Sequence, residues 1–170
     1  MEGEELVSRV SCKTPYVFGG GEITHSSVVV VYDFGVKTNI LRSWSQRGFR
    51  LLVVPYDYNY QDVLKLKPKA VVLSNGPGDP AAVNVSVDMI QGLIGKVPIF
   101  AICMGHQLLA RALGYATFKL KFGHHGVNHP VLDLIRNKIL ITSQNHGFGV
   151  KIEGDAEREV TVTHRSLNDG

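Results

Sequence analysis

Short runs of consecutive apolar residues alternate with stretches in which apolar residues recur every three or four positions. Val28–Tyr32, Leu51–Val54, Ala70–Leu73 and Val97–Ile102 are compact, β-rich runs of the kind buried on both faces of a sheet. Between them, Val36, Ile40, Leu41 and Trp44 mark one helix face that Gly48 ends. Asp62–Leu66 reads as a short helix followed by Pro68, and a further helix falls within Asn84–Ile94. Leu108, Leu109, Ala112 and Leu113 then return at helical spacing, with Gly114 as the stop. This alternation predicts an α/β fold: an open, largely parallel sheet flanked by helices, with ligands outside the carboxyl ends of the strands.

The pattern changes at both ends. After Gly114, short strands are expected at Thr117–Lys121, Val131–Leu134, Ile139–Thr142, Gly149–Ile152 and Glu159–His164, separated by turns rich in Gly, Asn and His. Before Ser27 no such rhythm exists, and Gly19-Gly20-Gly21 reads as a break. Residues 1–26 are therefore expected to be an arm or the remnant of a preceding domain, and residues 27–170 the domain proper.

Composition narrows the class without naming a chemistry. A chain of 170 residues, 44% apolar and 19% charged, suits one globular domain, and a net charge of +3 without a nucleic-acid motif excludes little. Two cysteines, Cys12 and Cys103, supply neither a disulfide framework nor a zinc pattern. The start, Met1-Glu2-Gly3-Glu4-Glu5, is acidic where a signal peptide is basic, and no apolar stretch is long enough to cross a membrane. The cytoplasm is the expected location, or an organelle if a transit peptide is missing.

The candidate chemistry centres on Cys103. It falls on the turn from the Val97–Ile102 strand into the following helix, with small residues at Ala101 and Gly105. A nucleophile elbow of this kind exposes its side chain at a helix N-terminus, where the dipole and backbone N–H groups are expected to favour a thiolate. On pattern alone, a cysteine packed as a small hydrophobe is the alternative. An attacked carbonyl would need two donors for its oxygen. Met104 offers one backbone N–H, and Gly78, in the loop Ser74-Asn75-Gly76-Pro77-Gly78-Asp79-Pro80, can offer another; a plain turn is the competing reading of that loop. Asn145-His146-Gly147-Phe148 reads either as a hairpin turn or as a segment presenting an amide to an amino-acid substrate. His124, His125 and His129 lack a carboxylate or cysteine at ligand spacing, so no metal site is expected.

Cys103-Met104-Gly105-His106-Gln107, preceded by Ser74-Asn75-Gly76-Pro77-Gly78-Asp79-Pro80, resembles the class I, triad-type glutamine amidotransferases. The stretches Tyr32–Ile40, Lys121–Pro130 and Gln144–Phe148 are similar to the carbamoyl-phosphate synthetase small subunits within that group. The resemblance runs from about Val28 to Gly170 and implies a flavodoxin-like sheet whose C-terminal part is incomplete. It implies glutamine hydrolysis to glutamate and ammonia through a thioester on Cys103, for arginine and pyrimidine synthesis. Gly78 and Met104 would form the oxyanion hole, and Gly76, Gly78, Met104, Gln107, Asn145, Gly147 and Phe148 would contact glutamine. No cofactor is implied on this chain. ATP and magnesium would belong to a partner, the large subunit or a fused synthetase domain, and neither nucleic acid nor membrane is an expected partner.

The sequence also departs from that pattern. The family's base is the histidine of a His-Pro-Glu segment, which these 170 residues do not contain. His164 is a poor substitute, because its counterpart in the family is not catalytic. The family's glutamine site also takes a serine from an N-terminal domain missing here. Loss of one triad member costs on the order of 10³-fold or more in turnover, so this chain is expected to be inactive alone. Ala101 stands where the family usually has glycine, and a sheet edge and part of a helix-covered face are expected to be open. The rival readings are a non-catalytic module that binds a large subunit, another class I amidotransferase such as the anthranilate or GMP type, and a flavin-binding domain in which Cys103 is incidental.

Overall fold

The computed structural model describes residues 2–19, 28–152 and 160–169. They divide into two compact units, residues 1–114 and 115–170.

The first unit is built on β2 (Val28–Asp33), whose six residues are all buried. Such a strand must be covered on both faces, and it lies at the centre of a five-stranded sheet ordered β1-β3-β2-β4-β5. β3 (Arg50–Pro55), β4 (Ala70–Leu73) and β5 (Ile99–Ala101) run parallel to it, while β1 (Tyr16–Phe18) pairs antiparallel with β3 at the edge. Successive side chains of a strand point to opposite faces. Val28, Val30 and Tyr32 accordingly join one core with Val63, Ile90, Leu93, Met104 and Leu108, and Val29 and Val31 join a second with Leu41. The first core is contributed by α3 (Tyr60–Lys65), α4 (Asn84–Gln91) and α5 (Met104–Ala112), the second by α2 (Thr38–Ser45). The predicted parallel α/β sheet is therefore the one observed.

The chain leaves β2 towards β3 and leaves β4 towards β5 on the other side. The carboxyl ends of the adjacent strands β2 and β4 thus form a topological switch point, the place where open α/β sheets leave a crevice.

Residues 2–19 differ from the expected arm. Val7, in α1 (Val7–Val10), is fully buried in the first core, and β1 completes the sheet. Elements of four and three residues are too short to show a period, and β1 owes its conformation to backbone pairing with β3. Gly20 and Gly21 of the predicted break lie outside the described residues, while Gly19, at φ +97°, is the last residue described before it.

The second unit is a three-stranded antiparallel sheet ordered β7-β6-β8, formed by β6 (Ala116–Asp133), β7 (Lys138–Lys151) and β8 (His164–Ser166). Four of the expected short strands are parts of β6 and β7. The pairing shifts register between Lys119 and His124 and between Gly126 and His129, so irregularities carry the ladder through the His-rich stretch without apolar alternation. Asn145-His146-Gly147-Phe148 lies inside β7 and is not a hairpin turn. The expected strand at Glu159–His164 is observed at His164–Ser166; residues 153–159 lie outside the described residues. Ile139 and Ile141 on β7 are 62% and 67% exposed. Among the described residues no helix is long and apolar enough to cross a membrane.

Candidate active site

Cys103 forms the joint between β5 and α5, with φ 52° and ψ −110°. A non-glycine residue held in this region costs about 1–3 kcal/mol, so its surroundings must over-determine it. They do. The Ile102 N–H donates to the Leu73 carbonyl at 3.0 Å, the Gly105 N–H to the Ser74 and Ile102 carbonyls at 2.9 Å each, and the Gln107 N–H to the Cys103 carbonyl at 3.0 Å. Met104 and Leu108 sink into the first core and anchor the helix. Gly105 is required by close approach, because a Cβ there would lie 2.3 Å from the Leu73 carbonyl oxygen. Ala101, the departure noted above, packs its methyl against the same core.

The glycine-rich loop leaves β4 directly beside this joint. Ser74 is fully buried. Its hydroxyl accepts from the Phe34 N–H at 2.9 Å and donates to the Asn75 carbonyl at 3.0 Å. Asn75 donates through Nδ2 to the Gly35 carbonyl at 3.0 Å and accepts from the Lys37 N–H at 3.2 Å. The loop is thereby stapled to the turn after β2, whose own geometry is set by Asp33: Oδ1 accepts from the N–H groups of Gly35 and Val36 at 2.9 and 2.8 Å.

Burial dominates the electrostatics of Cys103 and pushes its thiol above the ordinary range. The Met104 N–H, the Lys37 ammonium and the Gly76 N–H pull the other way. This corrects the expectation that the helix N-terminus alone favours a thiolate: desolvation of the sulfur outweighs the donors in this structure. Sequence does not single out Lys37, because its effect on the sulfur depends on the crossing of two loops. Gly76, expected to contact substrate, has its N–H at the sulfur.

Gly78, with φ +95°, lies two residues further along the loop. Gln107 is buried one turn into α5. Cys103, Met104, Gly76, Gly78 and Gln107 all belong to the first unit, whereas Asn145, Gly147 and Phe148 lie on β7 of the second.

Within the second unit, Asn145 Oδ1 lies 2.7 Å from His125 Nδ1, and Phe148 is buried with the Lys119 ammonium 5.5 Å from its ring centre. His146 donates through Nδ1 to the Phe148 carbonyl at 2.8 Å, and its Nε2 lies 2.9 Å from Gln144 Oε1 and 3.2 Å from His124 Nδ1. Burial holds the His146 ring below the usual histidine range and therefore neutral near pH 7. His124 Nε2 meets Asp169 at 2.8 Å, and His129 Nδ1 meets the Asn168 amide at 3.1 Å. Among the described residues no three His, Cys, Asp or Glu side chains converge as metal ligands.

The family model for glutamine amidotransferase class-I matches residues 30–170. The chain is 51% identical over 164 residues to the carbamoyl phosphate synthase small chain of Staphylococcus epidermidis, covering 96% of this chain and 44% of that protein. It is 50% identical to the chloroplastic small chain of Oryza sativa subsp. japonica, covering 98% of this chain and 40% of that one. It thus spans less than half the length of these curated relatives. Among solved structures, a putative GMP synthase subunit from Thermoplasma acidophilum is similar with a TM-score of 0.69 and 20% identity, over 83% of this chain and 73% of that one. A glutamine amidotransferase from Thermotoga maritima is similar with a TM-score of 0.56 and 19% identity, over 75% and 64%. At these identities the structural likeness speaks for the fold alone. This chain belongs to the class-I glutamine amidotransferase family.

Proposed function

We propose that this chain carries the nucleophile half of a glutaminase that supplies ammonia to carbamoyl phosphate synthesis. The observation that carries the reading is the strained Cys103 joint at the switch edge of the sheet, with the Met104 and Gly76 N–H groups at its sulfur. A thiolate at Cys103 attacks the side-chain carbonyl carbon of glutamine, and the carbonyl oxygen takes the negative charge. The N–H groups of Met104 and Gly78 hold that oxygen. Collapse expels the amide nitrogen, which needs a proton to leave as ammonia, and leaves a γ-glutamyl thioester. Water then releases glutamate and restores the thiol. Gly76 and Gln107 are the proposed glutamine contacts of the first unit; Asn145, Gly147 and Phe148 of the second are proposed from the family resemblance alone.

Identity of 51% to a carbamoyl phosphate synthase small chain supports this type over the anthranilate and GMP types. The proposed partner is the large synthetase subunit or domain, with ATP and magnesium bound there and no cofactor on this chain, in the cytoplasm. The pathway context, arginine and pyrimidine synthesis, follows from that assignment.

The test is acid quenching after incubation with radiolabelled glutamine. Protein-bound label on the wild type that is absent from Cys103→Ala supports the reading, and equal label on both proteins removes it.

A further inference from the structure

Asp79 takes no part in the chemistry above, yet it holds the glycine-rich loop from its far side. It is 5% exposed. Its Oδ1 accepts from the Ala81 N–H at 2.8 Å, capping the short 3-10 turn Pro80–Ala82. Its Oδ2 accepts from the Gly3 N–H at 2.8 Å, 76 residues earlier in the chain, and its own N–H donates to the Glu4 carbonyl at 3.0 Å. Gly78 lies against the same segment, since a Cβ on it would sit 2.7 Å from the Glu4 carbonyl oxygen and 3.2 Å from the Leu6 nitrogen.

The segment is itself fixed. Val7 is buried in the core that holds Phe34 and Met104, the Ser11 hydroxyl accepts from the Tyr56 N–H at 3.0 Å, and the Cys12 N–H donates to Asp33 Oδ2 at 2.9 Å. Ser74 and Asn75 already hold the loop on the N-terminal side of Gly78. Residues 3–12 hold it on the other.

We propose that Asp79 is a positioning residue, which clasps the segment Gly3–Cys12 across the Gly78–Asp79 peptide and thereby sets the Gly78 N–H for the carbonyl oxygen of glutamine. The inference rests on the reading of Cys103 and Gly78 given above. A preorganised donor needs no reordering when charge develops, and a glycine at positive φ with only one anchored neighbour would not stay in place.

Asp79→Asn separates the clasp from the local cap. An asparagine keeps a carbonyl oxygen for the Ala81 N–H but turns an NH₂ group towards the Gly3 N–H, donor against donor. The probe is 6-diazo-5-oxo-L-norleucine, whose diazo carbon is protonated and then attacked by the Cys103 thiolate, so that the sulfur is alkylated and N₂ leaves. Iodoacetamide, which needs no oxyanion donor, reports on the thiol alone. Both rates are measured by mass on wild type, Asp79→Asn and Asp79→Ala.

The expected result is a fall of about 10- to 100-fold in the diazo-ketone rate for both variants, with the iodoacetamide rate within about twofold of wild type. Asp79→Asn reacting like wild type overturns the clasp and leaves a local cap. Equal losses in both rates, with a lowered unfolding midpoint, overturn it in favour of general support of the fold. A wild type that takes up no label at Cys103 fails at the nucleophile itself, a separate outcome that brings down the reading and this inference with it.

Discussion

The N–H of Gly105 donates to the Ser74 carbonyl at 2.9 Å, joining the first turn of the nucleophile's helix to the first residue of the glycine-rich loop. The two elements that meet at Cys103 are thus parts of one hydrogen-bonded joint.

Gly105→Ala breaks that joint. Its methyl would lie 2.3 Å from the Leu73 carbonyl oxygen, a backbone atom that cannot swing aside. A loss of about 3 kcal/mol is expected, the upper end for overpacking. Urea unfolding measures it; a change below about 0.5 kcal/mol, typical of a surface substitution, contradicts the geometry.

The pH dependence of Cys103 alkylation follows from its raised thiol. Iodoacetamide reactivity should rise with a midpoint above the ordinary thiol value of 9.0, because burial opposes the thiolate. Lys37→Ala removes a cation that favours the charged form, so its midpoint should move further up. An unchanged midpoint would show that Lys37 does not act on the sulfur.

His146 gives the fold a separate pH response. Its pKa is lowered on folding from 6.5, chiefly by burial, so the unfolded chain binds the proton more tightly. Stability from this group is present above about pH 6.5 and falls as pH drops towards the lowered folded value. The midpoint of thermal unfolding should therefore decline more steeply from pH 7.5 to 5.5 in wild type than in His146→Asn. Parallel profiles would contradict the assignment.

Ile139 and Ile141 are exposed residues of β7, a strand at the edge of its sheet as described. Exposed apolar edges template association. The double variant Ile139→Lys, Ile141→Lys should lower light scattering on concentration and change unfolding free energy by less than about 0.5 kcal/mol. Unchanged scattering would place the association elsewhere.

The parallel sheet was legible because β2 reads as an unbroken buried run and because Gly114 stops α5 where the helical spacing ends. The elbow was legible from a strand running into Cys103-Met104-Gly105. The N-terminal elements were not, since α1 and β1 owe their form to packing and to β3. The His-rich ladder was hidden because glycines and register shifts erase alternation. Asp79 read only as a member of the glycine-rich loop, because its bond to Gly3 spans 76 residues and leaves no local trace.

The measurement that bears most directly on the central claim is intact mass after incubation with 6-diazo-5-oxo-L-norleucine, comparing wild type with Cys103→Ala. One adduct on wild type, mapped to Cys103 and lost in the variant, is the predicted result. An adduct that persists in Cys103→Ala, or a folded wild type that takes up none, would contradict the assignment of Cys103 as the glutamine nucleophile.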